Sequence, residues 1–267
     1  AEISRADVVI EVGPGVGTLT VRLASQAGRV VAVELDAALL PALRETLAAC
    51  DNVAIVQGDI LQLDPGQLSI ANGQWPMVND QSSDLSDSWP IDNCQLAIDH
   101  YKVVANLPYY ITSAAIRHFL TAAPPPVLTV LTIQREVAQR ILAKPPDMRI
   151  LAVSVQFYAQ PEIVARIPAG AFYPPPKVDS AILRLRPWPA PPVDVPDEEA
   201  FFAVARAGFG QRRKQLRNSL RANLAITPDQ TDAMLNQAGI DAQRRAETLD
   251  LAEWARLAHA WRRVAGG

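Results

Sequence analysis

The chain has 267 residues, 49% of them hydrophobic, and a formal net charge of −3. That length can bury one large core with or without a small second one, and the weak negative charge argues against a protein that coats nucleic acid through its overall charge. No apolar run approaches the roughly 20 residues that span a bilayer, and no signal segment opens the chain, so we expect a cytoplasmic protein without a membrane partner.

Metal chemistry is not indicated by the cysteines and histidines. Cys50 and Cys94 lie far apart without C-x-x-C spacing, which argues against a disulfide framework and a thiolate zinc site. His100, His118 and His259 do not have H-E-x-x-H spacing. We therefore expect a reduced compartment and no metal.

Alternating strand and helix patterns predict the fold class. Short apolar, β-branched runs predict seven strands, at Val8–Val12, Val30–Glu34, Val53–Gln57, Lys102–Ala105, Val127–Ile133, Leu151–Tyr158 and Ala181–Leu185. Helical spacing occupies several of the intervals, at Leu19–Gln26, Ala37–Ala49, Ala114–Leu120 and Glu136–Leu142. This alternation predicts an α/β fold with a mostly parallel, doubly wound sheet.

A change of pattern near residue 187 predicts two domains. Residues 1–187 carry the strand and helix alternation, and the proline-rich stretch Arg186–Pro192 follows it. Beyond that stretch the β-branched runs disappear, which predicts a small helical domain over 188–267. A polar stretch, about Ala71 to Gln95, is interpreted as a surface insertion in the first domain.

A glycine-rich turn after the first predicted strand indicates a ligand close to the backbone. Gly13, Gly15 and Gly17 have G-x-G-x-G spacing, whereas dinucleotide sites have G-x-G-x-x-G. Glu11 inside the turn region suits a ligand with positive charge better than a pyrophosphate. A sulfonium cofactor with an amino-acid tail, S-adenosyl-L-methionine, has that character.

Acidic residues follow the next two predicted strands. Glu34 is placed to accept hydrogen bonds from a ribose diol, and Asp59 from an adenine amine. Each feature alone is more often a tight connection or a solvated strand end. Their order at the carboxyl ends of successive parallel strands favours a nucleoside cofactor.

The fourth predicted strand ends in a tetrapeptide, Asn106-Leu107-Pro108-Tyr109. The lone pair of an adenine amine is delocalised into the ring and must be localised on nitrogen before it can attack a methyl group. The Asn106 oxygen and the carbonyl before or at the proline can each accept one N–H as charge develops. Tyr109, with Tyr110 or Phe172, would stack on an extruded base. An isolated tetrapeptide of this kind would be only a proline turn.

Four segments together resemble a known family, the small-subunit ribosomal RNA adenine N6,N6-dimethyltransferases, which are related to the macrolide-resistance rRNA methyltransferases. The resemblance extends over nearly the whole chain and rests on Glu11–Thr20, Asn106–Tyr109, Ala171–Ser180 and Phe209–Leu220. It implies a Rossmann-like, seven-stranded methyltransferase sheet with a C-terminal helical domain.

The same resemblance implies roles for individual residues. Gly13, Glu34, Asp59 and Asn106 would contact the cofactor, and Phe172 would help to hold the target adenine. The neighbouring Leu35 and Ile60 are included in the expected cofactor site. Family members dimethylate two adjacent adenines near the 3′ end of 16S rRNA in a nascent particle, so we expect a role in ribosome biogenesis. We also expect a monomer. Members also carry an N-terminal Gln-x-Phe-Leu segment, which we expect to be missing before Ala1.

A basic segment in the helical region predicts an RNA contact. Its cations are Arg212, Arg213, Lys214, Arg217 and Arg221. An apolar stripe of Leu216, Leu220 and Leu224 has helical spacing beside them. Such a run is usually a solvated face. Here Arg213, Arg217 and Arg221, spaced four residues apart, are predicted to form a ridge along the helix, and because their like charges repel, a track for RNA phosphates is favoured.

Three other functions remain open from the sequence. One is a catalytically idle RNA-binding factor for ribosome assembly on the same fold, and another is a large-subunit rRNA adenine N6-methyltransferase. The third is a dehydrogenase, which the G-x-G-x-G spacing disfavours.

Overall fold

The computed structural model describes residues 1–65, 100–211 and 213–265, so the predicted insertion at Ala71–Gln95 and the side chain of Arg212 lie outside the described residues. The described strands are β1 (Val8–Val12), β2 (Arg29–Glu34), β3 (Val53–Gln57), β4 (Tyr101–Asn106), β5 (Leu128–Gln134), β6 (Ala159–Ile167) and β7 (Ser180–Pro187). The described helices are α1 (Thr18–Gln26), α2 (Leu40–Leu47), α3 (Thr112–Leu120), α4 (Arg135–Ile141), α5 (Ile150–Tyr158), α6 (Glu198–Phe209), α7 (Leu216–Asn223), α8 (Pro228–Ala238) and α9 (Leu251–Ala265).

The described strands form one sheet in the order β3-β2-β1-β4-β5-β7-β6. The first five strands pair in parallel, and β7 runs antiparallel to β5. The chain leaves β1 toward β2 on one side and returns to β4 on the other. The order of the strands therefore reverses at β1, where open α/β sheets bind their ligands.

Apolar residues on both faces explain the central strands. In β1 the residues from Val9 to Val12 are buried, and in β2 those from Val30 to Glu34. The apolar faces of α1 and α2 pack against this part of the sheet through Leu23, Leu43 and Leu47. Burial on both faces is typical of parallel strands that are covered by crossover helices.

One predicted strand is wrong. Leu151–Tyr158 lies in helix α5, and the seventh strand is β6, Ala159–Ile167, which the sequence analysis did not predict. The α5 sequence is apolar around the helix because that helix is buried on several sides, and such a run cannot be told from a buried strand by periodicity alone. β6 is an edge strand with a largely exposed pattern, so it tolerates Pro161 and lacks an apolar run.

The chain divides into two compact units. The first comprises Ala1–Gln134 and Ile163–Pro187, and the second Arg135–Glu162 and Trp188–Gly267. The prediction had placed all of residues 135–162 with the first domain. They belong to the second because α5 packs on helices there, as in the stacked rings of Phe157 and Phe201, 4.5 Å apart. Among the described residues, the structure contains no helix with the length and apolar character needed to cross a membrane.

Candidate active site

The first unit brings the ends of four neighbouring parallel strands together at one edge of the sheet. The Gly13 amide donates to the Val33 carbonyl over 2.9 Å, which ties the loop after β1 to β2. The Gly58 amide donates to the Glu34 carbonyl over 2.9 Å, which ties the loop after β3 to the same strand. The predicted acidic residues and the glycine loop therefore face one region.

The glycine loop has the backbone that its sequence predicts. Gly13, Gly15 and Gly17 have φ values of 66°, 60° and 89°, in the left-handed region that favours glycine. A Cβ built on Gly15 meets no atom within 4 Å, so the backbone is open to an approaching group. One built on Gly13 lies 3.9 Å from Pro108 Cδ, which places the glycine loop beside the predicted catalytic tetrapeptide.

Glu34 at the end of β2 is buried and joins two backbone segments. Its Oε2 accepts a hydrogen bond from the Gly15 amide over 3.0 Å, and its Oε1 accepts from the Asp36 amide over 2.9 Å. Because each carboxylate oxygen has a second acceptor site, the side chain can still receive two donors from a ligand. Its geometry suits a vicinal diol.

Glu11 lies within β1 rather than in the turn, and only 1% of its surface is exposed. Its Oε2 has no hydrogen-bond partner among the described residues. Burial raises the pKa of this carboxyl to about 7; the Thr20 hydroxyl beside it opposes the rise, and the charge of Glu34 adds to it. A buried carboxyl oxygen without a partner is a candidate contact for a donor group of a ligand.

The other predicted cofactor residues lie in the loops after β2 and β3. Asp59 is half-buried, with its Oδ1 accepting from the Leu61 amide over 3.0 Å and its Oδ2 from Gln62 Nε2 over 3.4 Å. Leu35 is exposed directly after β2, and Ile60 is buried after Asp59. The Asp59 carboxylate is thus held by its own turn, a common arrangement for a residue that presents an acceptor.

The tetrapeptide ends β4 with its polar side chain accessible. Asn106 pairs with Thr132 of β5 and is exposed, and the Leu107 side chain is buried. The Pro108 carbonyl accepts from the Ile111 amide over 3.2 Å and from the Thr112 hydroxyl over 3.4 Å, since α3 begins there. Of the two carbonyls considered from the sequence, that of Leu107 is better suited to receive a donor from a substrate.

The aromatic residues of the site are on two loops. Tyr109 is 36% exposed, and its hydroxyl lies 3.1 Å from the Ser180 hydroxyl at the start of β7. Phe172 is half-buried in the loop that leads to β7, and Tyr110 is 81% exposed. Ser180 has no role that the sequence predicts, because only the pairing of β7 with β5 brings it to this edge.

The basic segment of the second unit differs from its prediction in two respects. Helix α7 begins at Leu216, so Arg213 precedes the helix and does not continue a ridge along it. Arg217 forms an ion pair with Asp232 of α8, an acid that the local sequence could not reveal. Arg213, Lys214 and Arg221 are exposed and make no ion pair within the part of the chain that the structure describes. The predicted apolar stripe, Leu216, Leu220 and Leu224, is buried as expected.

Comparison with known proteins gives the family. The family model described as ribosomal RNA adenine dimethylase matches residues 1–262. The chain belongs to the ribosomal RNA adenine dimethylase family. Its methyltransferase activity class and the resemblance recognised from the sequence are thereby confirmed.

Individual relatives agree with this membership. The ribosomal RNA small subunit methyltransferase A of Dehalococcoides mccartyi is 44% identical over 257 residues, 96% of this chain and 79% of the relative. The protein of the same name from Pelotomaculum thermopropionicum is 42% identical over 261 residues, 97% of this chain and 83% of the relative.

Solved structures confirm the predicted Rossmann-like methyltransferase fold. The 23S rRNA methyltransferase ErmE superposes with a TM-score of 0.68 at 26% identity, covering 98% of this chain and 93% of ErmE. A dimethyladenosine transferase from Plasmodium falciparum superposes with a TM-score of 0.71 at 21% identity, over 99% and 93% of the two chains, which supports the fold alone.

Proposed function

We propose that this methyltransferase uses S-adenosyl-L-methionine to dimethylate the N6 amines of two adjacent adenines near the 3′ end of small-subunit rRNA. The observation that carries the proposal is the position of Asn106–Tyr109 at the end of β4, with Pro108 beside the backbone of Gly13. A nitrogen-activating group close to a cofactor loop suits the transfer of a small group between two ligands.

The residues present fit S-adenosyl-L-methionine. The unpaired Oε2 of Glu11 suits the ammonium group of its amino-acid tail, and the open backbone at Gly15 admits a ligand without a clash. Glu34 would receive the ribose hydroxyls on its remaining acceptor sites, and Asp59 would receive the adenine amine. Bound there, the cofactor supplies an already activated methyl group, so the protein has no need of a metal or a strong general base.

The protein's own contribution to the reaction is to hold the adenine amine. We assign the acceptors to the Asn106 side-chain oxygen and the Leu107 carbonyl, since the Pro108 carbonyl is engaged by the start of α3. Two acceptors on the two N–H bonds draw the nitrogen toward a pyramidal geometry and stabilise the positive charge that develops on it. Tyr109 and Phe172 would hold the extruded base by stacking.

Replacing Glu34 with alanine is expected to weaken S-adenosyl-L-methionine binding by about 1–3 kcal/mol, because the ribose hydroxyls lose a charged acceptor and Gly15 loses its tether. Calorimetric titration measures this, with exposed Glu45 of α2 changed to alanine as the matched control. Equal affinities of wild type and Glu34→Ala would remove Glu34 from the cofactor site.

The small-subunit substrate is favoured by the degree of similarity. Relatives named for the small subunit are 42–44% identical to this chain, whereas the 23S rRNA methyltransferase ErmE is 26% identical. We propose a nascent small-subunit particle in the cytoplasm as the partner, a monomeric enzyme and a role in ribosome biogenesis.

The exposed cations of the second unit are proposed as its RNA contact. Arg213, Lys214 and Arg221 are the members of the predicted set best able to meet phosphates, since Arg217 is paired with Asp232. The sequence around them contains no acid from Phe201 to Leu224, so their charge is not cancelled locally.

Changing Arg213 and Arg221 together to glutamine is expected to reduce the slope of log affinity for small-subunit particles against log salt by about 1.4–1.8, because each lost phosphate contact removes about 0.7–0.9. Arg217→Gln should leave that slope unchanged, and Arg22→Gln on α1 serves as a control in the first unit. A wild-type slope in the double variant would contradict the phosphate track.

The proposed function is tested with methyl-labelled S-adenosyl-L-methionine and two substrates, small subunits lacking the modification and mature large subunits. We expect label in the small-subunit rRNA alone. Label in large-subunit rRNA would favour the ErmE-like reaction. Particle binding without transfer would favour the idle assembly factor, and calorimetric preference for NAD would favour a dehydrogenase.

A further inference from the structure

Ser180 is the first residue of β7 and is almost completely buried, with 1% of its surface exposed. It pairs with Gln134, the last residue of β5, in the antiparallel ladder. In the parallel ladder, Thr132 of β5 pairs with Asn106. Ser180 therefore lies at the same edge of the sheet as the tetrapeptide, two strands away from it.

The Ser180 hydroxyl bonds the Tyr109 hydroxyl over 3.1 Å, across 71 residues of sequence. Either hydroxyl can be the donor. A bond at the far end of the phenol limits the swing of the whole side chain about its first torsion. Tyr109 remains 36% exposed, so part of the residue is accessible to a ligand.

Asp179, the residue before Ser180, is hydrogen-bonded to the start of the loop that contains Phe172. Asp179 Oδ1 accepts a hydrogen bond from the Ala169 amide over 3.2 Å, at the base of the segment that contains Phe172. The start of β7 thus restrains both the loop with Phe172 and the ring of Tyr109, which are the two aromatic groups assigned to the base.

We propose that Ser180 is a positioning residue for methyl transfer, because its hydroxyl fixes Tyr109 so that the ring presents its face to the target adenine. This inference rests on the proposed function. Because the Tyr109 hydroxyl is bonded to Ser180, we assign the ring of Tyr109 to stacking on the base. Because the ring is already fixed before the base binds, less conformational entropy of the Tyr109 side chain is lost on binding.

The test compares Ser180→Ala, Tyr109→Phe, their double variant and Ser180→Thr in the full chain. Transfer to small subunits gives kcat and KM, and S-adenosyl-L-methionine affinity is measured alongside. A short RNA with 2-aminopurine in place of a target adenine reports stacking through its fluorescence quenching, without any need for transfer. Thr129→Val is the matched control, because the Thr129 hydroxyl is buried with no partner among the described residues.

We expect Ser180→Ala to lower kcat/KM about three- to tenfold, the net value of one hydrogen bond, and to weaken the quenching. Tyr109→Phe should have the same effect, and the double variant should lose nothing more, because both changes remove one bond. Ser180→Thr keeps a hydroxyl and should have kcat/KM and quenching close to those of the wild type. Cofactor affinity and the behaviour of Thr129→Val should match the wild type.

Wild-type kcat/KM and quenching in Ser180→Ala would overturn the positioning role. So would a loss that adds to that of Tyr109→Phe, or a fall in melting temperature with quenching unchanged, which would show a structural bond only. If the wild-type chain transfers no methyl group, the proposed function fails, and the quenching of the four variants still decides whether Ser180 orients Tyr109.

Discussion

Replacing Asn106 with alanine is expected to slow methyl transfer at least a hundredfold while folding and most cofactor affinity remain. The Asn106 oxygen is exposed at the end of β4, so its loss leaves no buried group without a partner. What is lost is an acceptor that acts on the amine mainly in the transition state, worth about 3–4 kcal/mol when it is preorganised. Single-turnover transfer with saturating S-adenosyl-L-methionine measures the effect.

The control for this variant is Asn236→Ala, an exposed asparagine on α8 in the second unit, which should transfer at the wild-type rate. A lower affinity for the cofactor with an unchanged rate of transfer would assign Asn106 to binding alone. A rate for Asn106→Ala within a few-fold of the wild type would remove it from the mechanism.

Glu11→Gln is expected to change how stability depends on pH. The pKa of this carboxyl is about 7 in the folded protein and near 4.5 when it is unfolded, so the folded state holds the proton more tightly. Protonated Glu11 therefore stabilises the folded wild-type protein below about pH 4.5, and this contribution is lost as the pH rises from about 4.5 to 7. Because glutamine does not titrate, the variant should gain about 3 kcal/mol of stability relative to wild type between pH 4 and pH 8.

Denaturant unfolding of both proteins across that pH range measures the difference, and Glu45→Gln, which changes an exposed acid, is the control. Added S-adenosyl-L-methionine should reduce the loss of wild-type stability near pH 7, since its ammonium group would stabilise the ionised Glu11. A constant stability difference between pH 4 and pH 8 would mean that folding does not raise the pKa of Glu11.

Local patterns predicted most of the sheet and the positions of the candidate site. The buried parallel strands were predicted because both of their faces are apolar. The glycine loop was predicted because Gly13, Gly15 and Gly17 adopt a backbone conformation that other residues rarely adopt. Glu34 was placed correctly at the end of β2, since an acid there interrupts an apolar run. These features depend on residues that are close in sequence.

The features that the sequence did not predict depend on contacts between distant residues. The apolar run of α5 indicates burial but not which element is buried, and the edge strand β6 has no apolar run to reveal it. The partner of Arg217 is Asp232 on another helix, and that of Tyr109 is Ser180 on another strand. Neither pairing has a local signal in the sequence.

Nucleoside analysis of small-subunit rRNA after incubation with the protein tests the central claim most directly. Particles that lack the modification are treated with S-adenosyl-L-methionine, and the rRNA is digested and separated by mass. We predict N6,N6-dimethyladenosine at two adjacent positions near the 3′ end, and none with Asn106→Ala. Unmodified rRNA, or methyl groups on another atom or base, would contradict the account.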